Sequence, residues 1–484
     1  MTQTYTYRTD ARALEEARGA WLSLAGERSR RERFKAFTYG RQWGDQCLTT
    51  DGRRVSEERR MTEEGRLPVT NNIIRQLVKS VIGRYRHLCG QGTETGQGGL
   101  AGFSGEGAVS NTDARTLEEF LISGKAIQRL ERGEATQVSP ALFFHQPFSK
   151  PDGSDCRLMG MLHDMGLGEA CRRFGEGDPR RVRALKDALR RGAGMGSPWP
   201  QAWGPAGFDT PGKPGTWRVV ELWRLVPFES LEVEDLANGT RYRRECGDLE
   251  RLEGLNAGRA CVGTPPLRWV HRVQERWTCT WLTAAGEVLG SRVAPRGERP
   301  PFALCFYPLV DGEVHSLVED VIDQQKYVNR LISLLDHIIS SSAKGVLLYP
   351  ADQLPEGFTW KDIRRIWANP NGILPFKRTA KGMVPQQVSA SGAGGAQATE
   401  MLKMQLQLFE EISGATGAVR GRSSTAQGEG MLRAEMENAL VSMLDILATF
   451  RAYVMERDER LDKKNVKPVN KEIDGNGNED GKEG

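Results

Sequence analysis

The sequence predicts an α+β protein that is mainly helical. Three observations point there. The stretch Asp311–Pro350 repeats apolar residues at the three-and-four spacing of one helical face. The block Trp217–Pro308 consists of short runs rich in Val, Trp and Thr, broken by Asn-Gly, Ala-Gly and Pro signals, as strands and hairpins require. Gly-rich breaks separate these parts from other amphipathic segments. With 484 residues, the chain has room for roughly two to four domains and a sizeable core.

In the longest periodic stretch the apolar positions are Val318, Val321, Ile322, Val328, Leu331, Ile332, Leu335, Ile338 and Ile339, held for about seven turns. Asp323, Gln324, Lys326, Asn329, Arg330, Ser333 and Asp336 are expected on the opposite, polar face. A YPLVDGE turn precedes the helix and Gly345 follows it.

Taken in order, residues 10–38 read as a strongly charged helix with Arg28, Arg30, Arg31, Arg33 and Lys35 among acids, a pattern usual for a solvated face. An aromatic segment at Phe37–Trp43 ends in a Gly-marked turn. LPVTNNIIRQLVKSVIGRYR predicts a helix capped by Thr70 or Asn71, with Ile73, Ile74, Leu77, Val78, Val81 and Ile82 as its stripe. After a Gly-rich break near 90–109, NTDARTLEEFLISGKAIQRLERG reads as a second helix. Arg172–Gly192 holds eight basic and three acidic residues, an exposed basic helix by its pattern, and 193–216 reads as a long loop.

Beyond the β-rich block and the long helix, Ser389–Ala396 carries no side chain larger than Ser, a flexible loop by composition. Met401, Leu402, Gln405, Leu408, Phe409 and Ile412 mark the next helix, and a last one is expected from about Glu429 to Asp462. The polar tail after it is predicted to be disordered.

Composition narrows the function. The 67 Lys and Arg nearly balance 63 Asp and Glu, giving a net charge of +4, so nucleic-acid affinity does not follow from the total and must come from local patterning. Eight cysteines contain no CxxC unit, six histidines no HExxH pairing, and reduced thiols are the simplest reading. The start lacks a signal-like apolar region, and no run approaches the roughly eighteen apolar residues of a membrane span. Neither a phosphate-binding GxxxxGK loop nor a GxSxG elbow occurs; Ser104 has Glu106 where the last Gly would stand. Glu319, Asp320 and Asp323 suggest a metal or nuclease site, but read better as solvent-facing or intersubunit ion-pair residues. No cofactor or metal is expected.

The wording VEDVIDQQKYVNRLISLLDHII followed by SAKGVLLYP resembles the portal proteins of tailed bacteriophages, especially those of Bacteroides-group phages. The likeness returns in F-Y-G-x-Q-W at Phe37–Trp43, in the T-N-x-I helix after Pro68, in LEEFLISGKAIQR, and in ISGATGAVRG at Ile412–Gly421. It covers most of the chain from about Arg33 to Glu456. Val419 and Arg420 depart from the Leu-Gln pair common in relatives.

The resemblance implies a portal fold: an N-terminal wing region (1–215), and a clip region (216–313) with a first stem helix near 240–257. A second stem helix (314–345), a C-terminal wing (346–462) with a tunnel loop at 389–396 and a tunnel helix, and a disordered tail (463–484) follow. It implies a non-enzymatic ring, usually a dodecamer, at one capsid vertex, through which double-stranded DNA is packaged and ejected. The expected partners are further copies of the chain, double-stranded DNA without sequence specificity, the large terminase, the major capsid protein or scaffold, and a head–tail adaptor, with no membrane. The expected location is the virion, after assembly in the host cytoplasm. Lys326, Arg330, Lys344, Ser389 and Ser391 are the candidate channel residues, and Gly392, Gly394 and Gly395 those of the tunnel loop. Two other readings stand beside this one: a metal-dependent nuclease using residues 319–323, and a ring scaffold that holds no DNA.

Overall fold

The computed structural model describes residues 6–49, 51–90, 109–192, 207–342, 346–368, 373–377, 384–388, 393–414 and 429–465. Lys344, Ser389, Ser391 and Gly392, much of the two expected Gly-rich breaks, part of the ISGATGAVRG phrase, and nearly all of the tail lie outside these residues.

The chain opens with helices α1 (Ala11–Ser23) and α2 (Ala25–Thr38), then a hairpin of β1 (Gln46–Leu48) and β2 (Arg54–Ser56). Helices α3 (Glu57–Glu63), α4 (Ile73–Gly90) and α5 (Asn111–Ser123) follow. Strands β3 (Lys125–Glu131), β4 (Glu134–Gln137), β5 (Phe143–His145) and β6 (Leu158–Met165) lead to α6 (Leu167–Phe174) and α7 (Pro179–Gly192). The middle holds β7 (Trp217–Asp235), β8 (Thr240–Glu245), α8 (Leu249–Val262), β9 (Leu267–Thr283), β10 (Val288–Val293) and β11 (Phe302–Phe306). Then come α9 (Leu317–Ser342), β12 (Val346–Leu348), α10 (Trp360–Ala368), β13 (Gln386–Val388), α11 (Ala393–Ser413) and α12 (Glu429–Asn465). The fold is α+β and mainly helical, as expected.

These elements form two compact units: Met1–Glu32 with Tyr85–Ser316 and Asp445–Gly484, and Arg33–Arg84 with Leu317–Leu444. In the first, an antiparallel sheet runs β10-β9-β7-β6-β5, with β8 added to β7, and a second sheet runs β11-β3-β4. Phe143, Trp223, Phe302 and Phe306 fill the core associated with both sheets. On α1, Ala13, Leu14, Ala17 and Ala20 pack with Phe144, Leu162, Leu222 and Leu282 of the larger sheet. Each large apolar side chain removed from water this way contributes about 1.5–3 kcal/mol. Gly160 permits the tightest approach, since a Cβ there would stand 2.3 Å from both Glu221 O and Phe144 Cζ.

Strand β7 changes character along its length. Val219 to Trp223 are buried without alternation, as a strand covered on both faces requires, whereas Val226, Pro227 and Glu229 are exposed. Its pairing with β6 ends at Arg224 and its pairing with β8 begins at Ser230, while β9 runs along the whole strand. Pro227 sits in the gap between those two partners, where a missing N–H breaks no ladder bond. The distal arm, made of β8, α8 and the halves of β7 and β9 that pair beyond Ser230, carries a small core of its own, Leu231, Val233, Leu252 and Leu267.

Three expectations change. The stretch NTDARTLEEFLISGKAIQRLERG is not one helix: α5 ends at Gly124, whose φ of +70° closes the helix left-handed, and β3 begins at Lys125. The helix expected near 240–257 lies at 249–262, because RYRRE forms β8. Its arginines answer acids across the strands rather than along a helix, with Arg241 2.9 Å from Glu234 and Arg243 3.7 Å from Glu232. The expected boundary at 215/216 falls between β6 and β7, which pair directly, so the expected N-terminal and clip regions share a sheet.

In the second unit, α9 buries Val318, Val321, Ile322, Val328 and Leu331, and α4 buries Ile73, Ile74, Leu77, Val78 and Val81. Helix α11 packs along α9. It starts at Ala393, so Gly394, Gly395 and Ala396 belong to its first turn and the loop expected over 389–396 is helical from 393 onward. A Cβ on Gly395 would lie 3.8 Å from Ile338 Cγ2, so α11 comes close to α9 there.

Candidate functional site

The site grows from the polar side of α9. Gln325, Asn329 and Ser333 recur every fourth residue and therefore stand one above another on the helix. All three are buried, at 0%, 1% and 0% exposure. Asn329 and Ser333, expected on the polar face of the helix, are thus covered, and the reason is a chain segment that crosses this face. Ser333 Oγ accepts from Val69 N at 2.9 Å and Asn329 Oδ1 from Asn71 N at 3.0 Å. Gln325 Oε1 accepts from Ile73 N and Ile74 N at 2.9 and 3.2 Å, while its Nε2 donates to Asn71 O at 2.6 Å. These bonds satisfy the N–H groups that open α4, which have no partner within their own helix.

Asn72, rather than Thr70 or Asn71, caps α4 from its own chain, accepting from Arg75 N at 3.0 Å. Thr70 instead accepts from Trp43 Nε1 at 2.9 Å, and Gln42 donates to Asn72 Oδ1 at 3.1 Å and to Phe37 O at 2.7 Å. The Phe37–Trp43 segment is therefore packing structure around the start of α4.

Beside this ladder lies a charge cluster. Asp45 accepts from Arg33 in a fork, Nε to Oδ1 at 3.0 Å and Nη2 to Oδ2 at 2.9 Å, and from Lys326 Nζ at 2.7 Å. Burial pushes the Asp45 carboxyl up, but the bonds from Arg33 and Lys326 outweigh it and hold its pKa below the ordinary value. Glu57, whose side chain is 3% exposed, takes Arg330 Nε and lies 3.9 Å from Lys326 Nζ. The bond to Glu57 raises the Arg330 pKa, and 40% of the Arg330 side chain stays exposed. Asp323 and Glu319 lie within electrostatic reach of Arg33 and raise its pKa together with Asp45, so those carboxylates already answer a cation. Of the expected channel residues, the structure brings Lys326 and Arg330 together; Gly394 and Gly395 stand apart from them at the start of α11.

Sequence reasoning missed two buried clusters in the first unit. Glu221, on β7, accepts from His163 Nε2 at 2.8 Å, from Trp223 Nε1 at 2.8 Å and from Arg129 of β3. Burial pushes its carboxyl up, but His163 and Arg129 bring its pKa down to about 2. Arg457 of α12 pairs with Asp113 and donates to Gln128 Oε1 at 3.0 Å, while Gln128 Nε2 donates to Thr116 Oγ1 at 2.9 Å. In each, full hydrogen bonding explains how charges persist in a core, and no local sequence signal pairs residues so far apart.

A family model described as the phage P22-like portal protein matches residues 125–456, more than half of the chain. The chain belongs to that family. No curated protein matches it. This is a phage portal protein, a head–tail connector component that serves viral genome packaging. Portal proteins are structural, non-enzymatic parts of the virion capsid, with further copies of themselves, DNA, terminase and capsid among their partners in general. Among the described residues, no helix of this portal protein is long and apolar enough to cross a membrane.

Proposed function

We propose that the protein closes into a ring of identical subunits, twelve by the habit of its family, around a channel for duplex DNA. It assembles in the host cytoplasm, docks the large terminase during packaging and then a head–tail adaptor, and contacts the major capsid protein or scaffold. The likeness to portals of Bacteroides-group phages belongs to the same reading. A head-to-tail interface repeated until the rotation closes is the general route to such rings. Apolar side chains left on the surface of the second unit, Tyr327 at 54% and Ile339 at 64% exposure on α9 and Met401 at 50% on α11, suit burial against a neighbour.

The observation that carries the channel reading is the charge cluster on α9. DNA that must slide needs diffuse, exchangeable phosphate contacts and no base readout. Arg330 is the stronger contact, because Glu57 takes its Nε and much of the side chain stays exposed; Lys326, tied to Asp45, adds positive field. The same reading counts Lys344, Ser389 and Ser391, which lie outside the described residues, among the DNA contacts and assigns the constriction to Gly392, Gly394 and Gly395. The distal arm of β7, β8, α8 and β9 is the clip that meets the motor and the adaptor. The reading needs no catalytic group, metal or cofactor. The nuclease alternative is disfavoured by Arg33, a cation held by Asp45 within electrostatic reach of Asp323 and Glu319, where it competes with a metal for their charge.

The test replaces Arg330 with Gln, which keeps a donor for Glu57 while removing the charge, alone and together with Lys326→Ala. Rings should still form while DNA packaging or retention falls in a salt-dependent way. Unchanged packaging, retention and assembly would remove both residues from the channel.

A further inference from the structure

On the distal arm, three side chains from three elements converge in a way the portal role does not use. Glu229 lies on β7, His271 on β9, and Cys246 immediately after β8. Their ligand atoms, a carboxylate oxygen, an imidazole nitrogen and the thiol sulfur, lie within 4.8 Å of one another. Register explains the meeting. Glu229 pairs with Val273 and Leu231 with His271, so His271 stands diagonally across from Glu229 on the same face, since residues i and i+2 share a face. Ser230 pairs with Glu245, which brings Cys246 alongside Glu229 from the other side. Glu229 and His271 are exposed and Cys246 is half-buried, so an ion can reach the site from solvent.

We propose that Glu229, Cys246 and His271 form a binding site for a zinc-class divalent cation that fastens the clip-like head to its supporting strands. The donor set is one thiolate, one imidazole and one carboxylate, which suits a borderline-soft, tetrahedral ion and neutralises its double charge. The spacing fits as well. Zn–S and Zn–N bonds of about 2.3 and 2.0–2.1 Å at a tetrahedral angle set sulfur and nitrogen about 3.6 Å apart. Cys246 Sγ lies 3.7 Å from His271 Nδ1 and 4.0 Å from Nε2, so the separation fits and a turn of the imidazole aims one nitrogen at the shared ion. Three protein ligands leave a fourth position for water or for a side chain of a docked protein. The bound ion ties the end of β8 to β7 and β9 just before α8 begins, beside the small core of Leu231, Val233, Leu252 and Leu267 against which Cys246 packs. Sequence spacing hides the site, because its ligands are spread over more than forty positions and match no motif.

The test uses the full chain, purified reduced and stripped of metal, then titrated with Co²⁺ and with Zn²⁺ alone. The expected result is one ion per chain, with thiolate-to-cobalt absorption that Zn²⁺ displaces. Cys246→Ser and His271→Gln should each abolish stoichiometric binding and the absorption band, while Cys261→Ser, at an exposed thiol outside the cluster, should leave both intact. Absence of stoichiometric binding in the parent chain would overturn the proposal. So would binding that survives both Cys246→Ser and His271→Gln, or that is lost in Cys261→Ser instead.

Discussion

Lys326 Nζ lies 2.7 Å from Asp45 Oδ2, a partner 281 positions earlier in the chain, and Arg33 grips the same carboxylate. The cluster thus fixes α9 against the β1–β2 region, with the Arg330 side chain still partly exposed. Asp45→Asn keeps an acceptor but removes the charge that holds both cations. It should cost about 1–2 kcal/mol at neutral pH. Because Asp45 has a depressed pKa, that contribution is full above the ordinary carboxylate range near 3.9 and is lost as pH falls through the folded value. Denaturant unfolding of the two proteins at pH 7 and at a pH below about 3.9 measures the difference, which should shrink at the lower pH.

Gln325 is the hub of the ladder that caps α4. Gln325→Ala strands the buried Ile74 N and removes the side-chain partner of Ile73 N and Asn71 O, which keep a 3.0 Å bond to each other. The expected loss is about 1–3 kcal/mol, the cost of one stranded buried group. A thermal midpoint unchanged within error would show that water replaces the glutamine without penalty.

The turn from α5 into β3 depends on Gly124. A Cβ there would lie 2.4 Å from Val314 Cγ1 and 2.7 Å from Tyr307 O, at a φ of +70° that other residues rarely adopt. Gly124→Ala should lower stability by 2 kcal/mol or more, about the scale of a strained backbone joined to an overpacked contact. Soluble expression and urea unfolding provide the check.

Gly395 predicts the opposite sign. Its missing Cβ would make ordinary contact with Ile338, and it sits inside α11. Gly395→Ala should leave the fold intact and stabilise it by up to about 1 kcal/mol, the helix preference of Ala over Gly.

Acid should destabilise the first unit in two stages. Burial, followed by the nearby Lys125 charge, lowers His145 to about 4, and burial also lowers His163. Both imidazoles are favoured neutral in the fold, so the unfolded chain takes protons first and stability is lost as pH falls below about 6.5. Glu221, held at about 2, adds a second loss below about 4.5. The unfolding midpoint should therefore fall steadily from pH 7 to pH 4. His145→Phe should flatten the upper part of that slope, and an unchanged slope would assign it to other groups.

Much of this fold is legible where one period governs a long stretch. The apolar spacing from Val318 to Leu331 gives α9, and the Met443, Leu447, Phe450 and Val454 stripe gives α12, because burial of one face repeats along the sequence. The polar side of α9 is not legible in the same way. Asn329 and Ser333 look like solvent-facing residues until the 69–74 segment is laid across them, and that crossing follows from tertiary packing. LEEFLISGKAIQRL spaces its apolar residues compatibly with a helix throughout, and the single sign of a break is Gly124. In RYRRE, charges that would support a helix at four-residue spacing find partners across β7 instead. The candidate site was half visible for the same reason: Lys326 and Arg330 could be named from the helix, but Asp45 and Glu57 are joined to them only by the fold.

The central claim, a ring around a DNA channel, is tested most directly by electron microscopy of the purified full chain, with native mass spectrometry of the same sample. The account predicts closed rings of about twelve subunits with a central channel wide enough for a duplex. A compact dimer, or a closed assembly whose centre cannot admit duplex DNA, would contradict it.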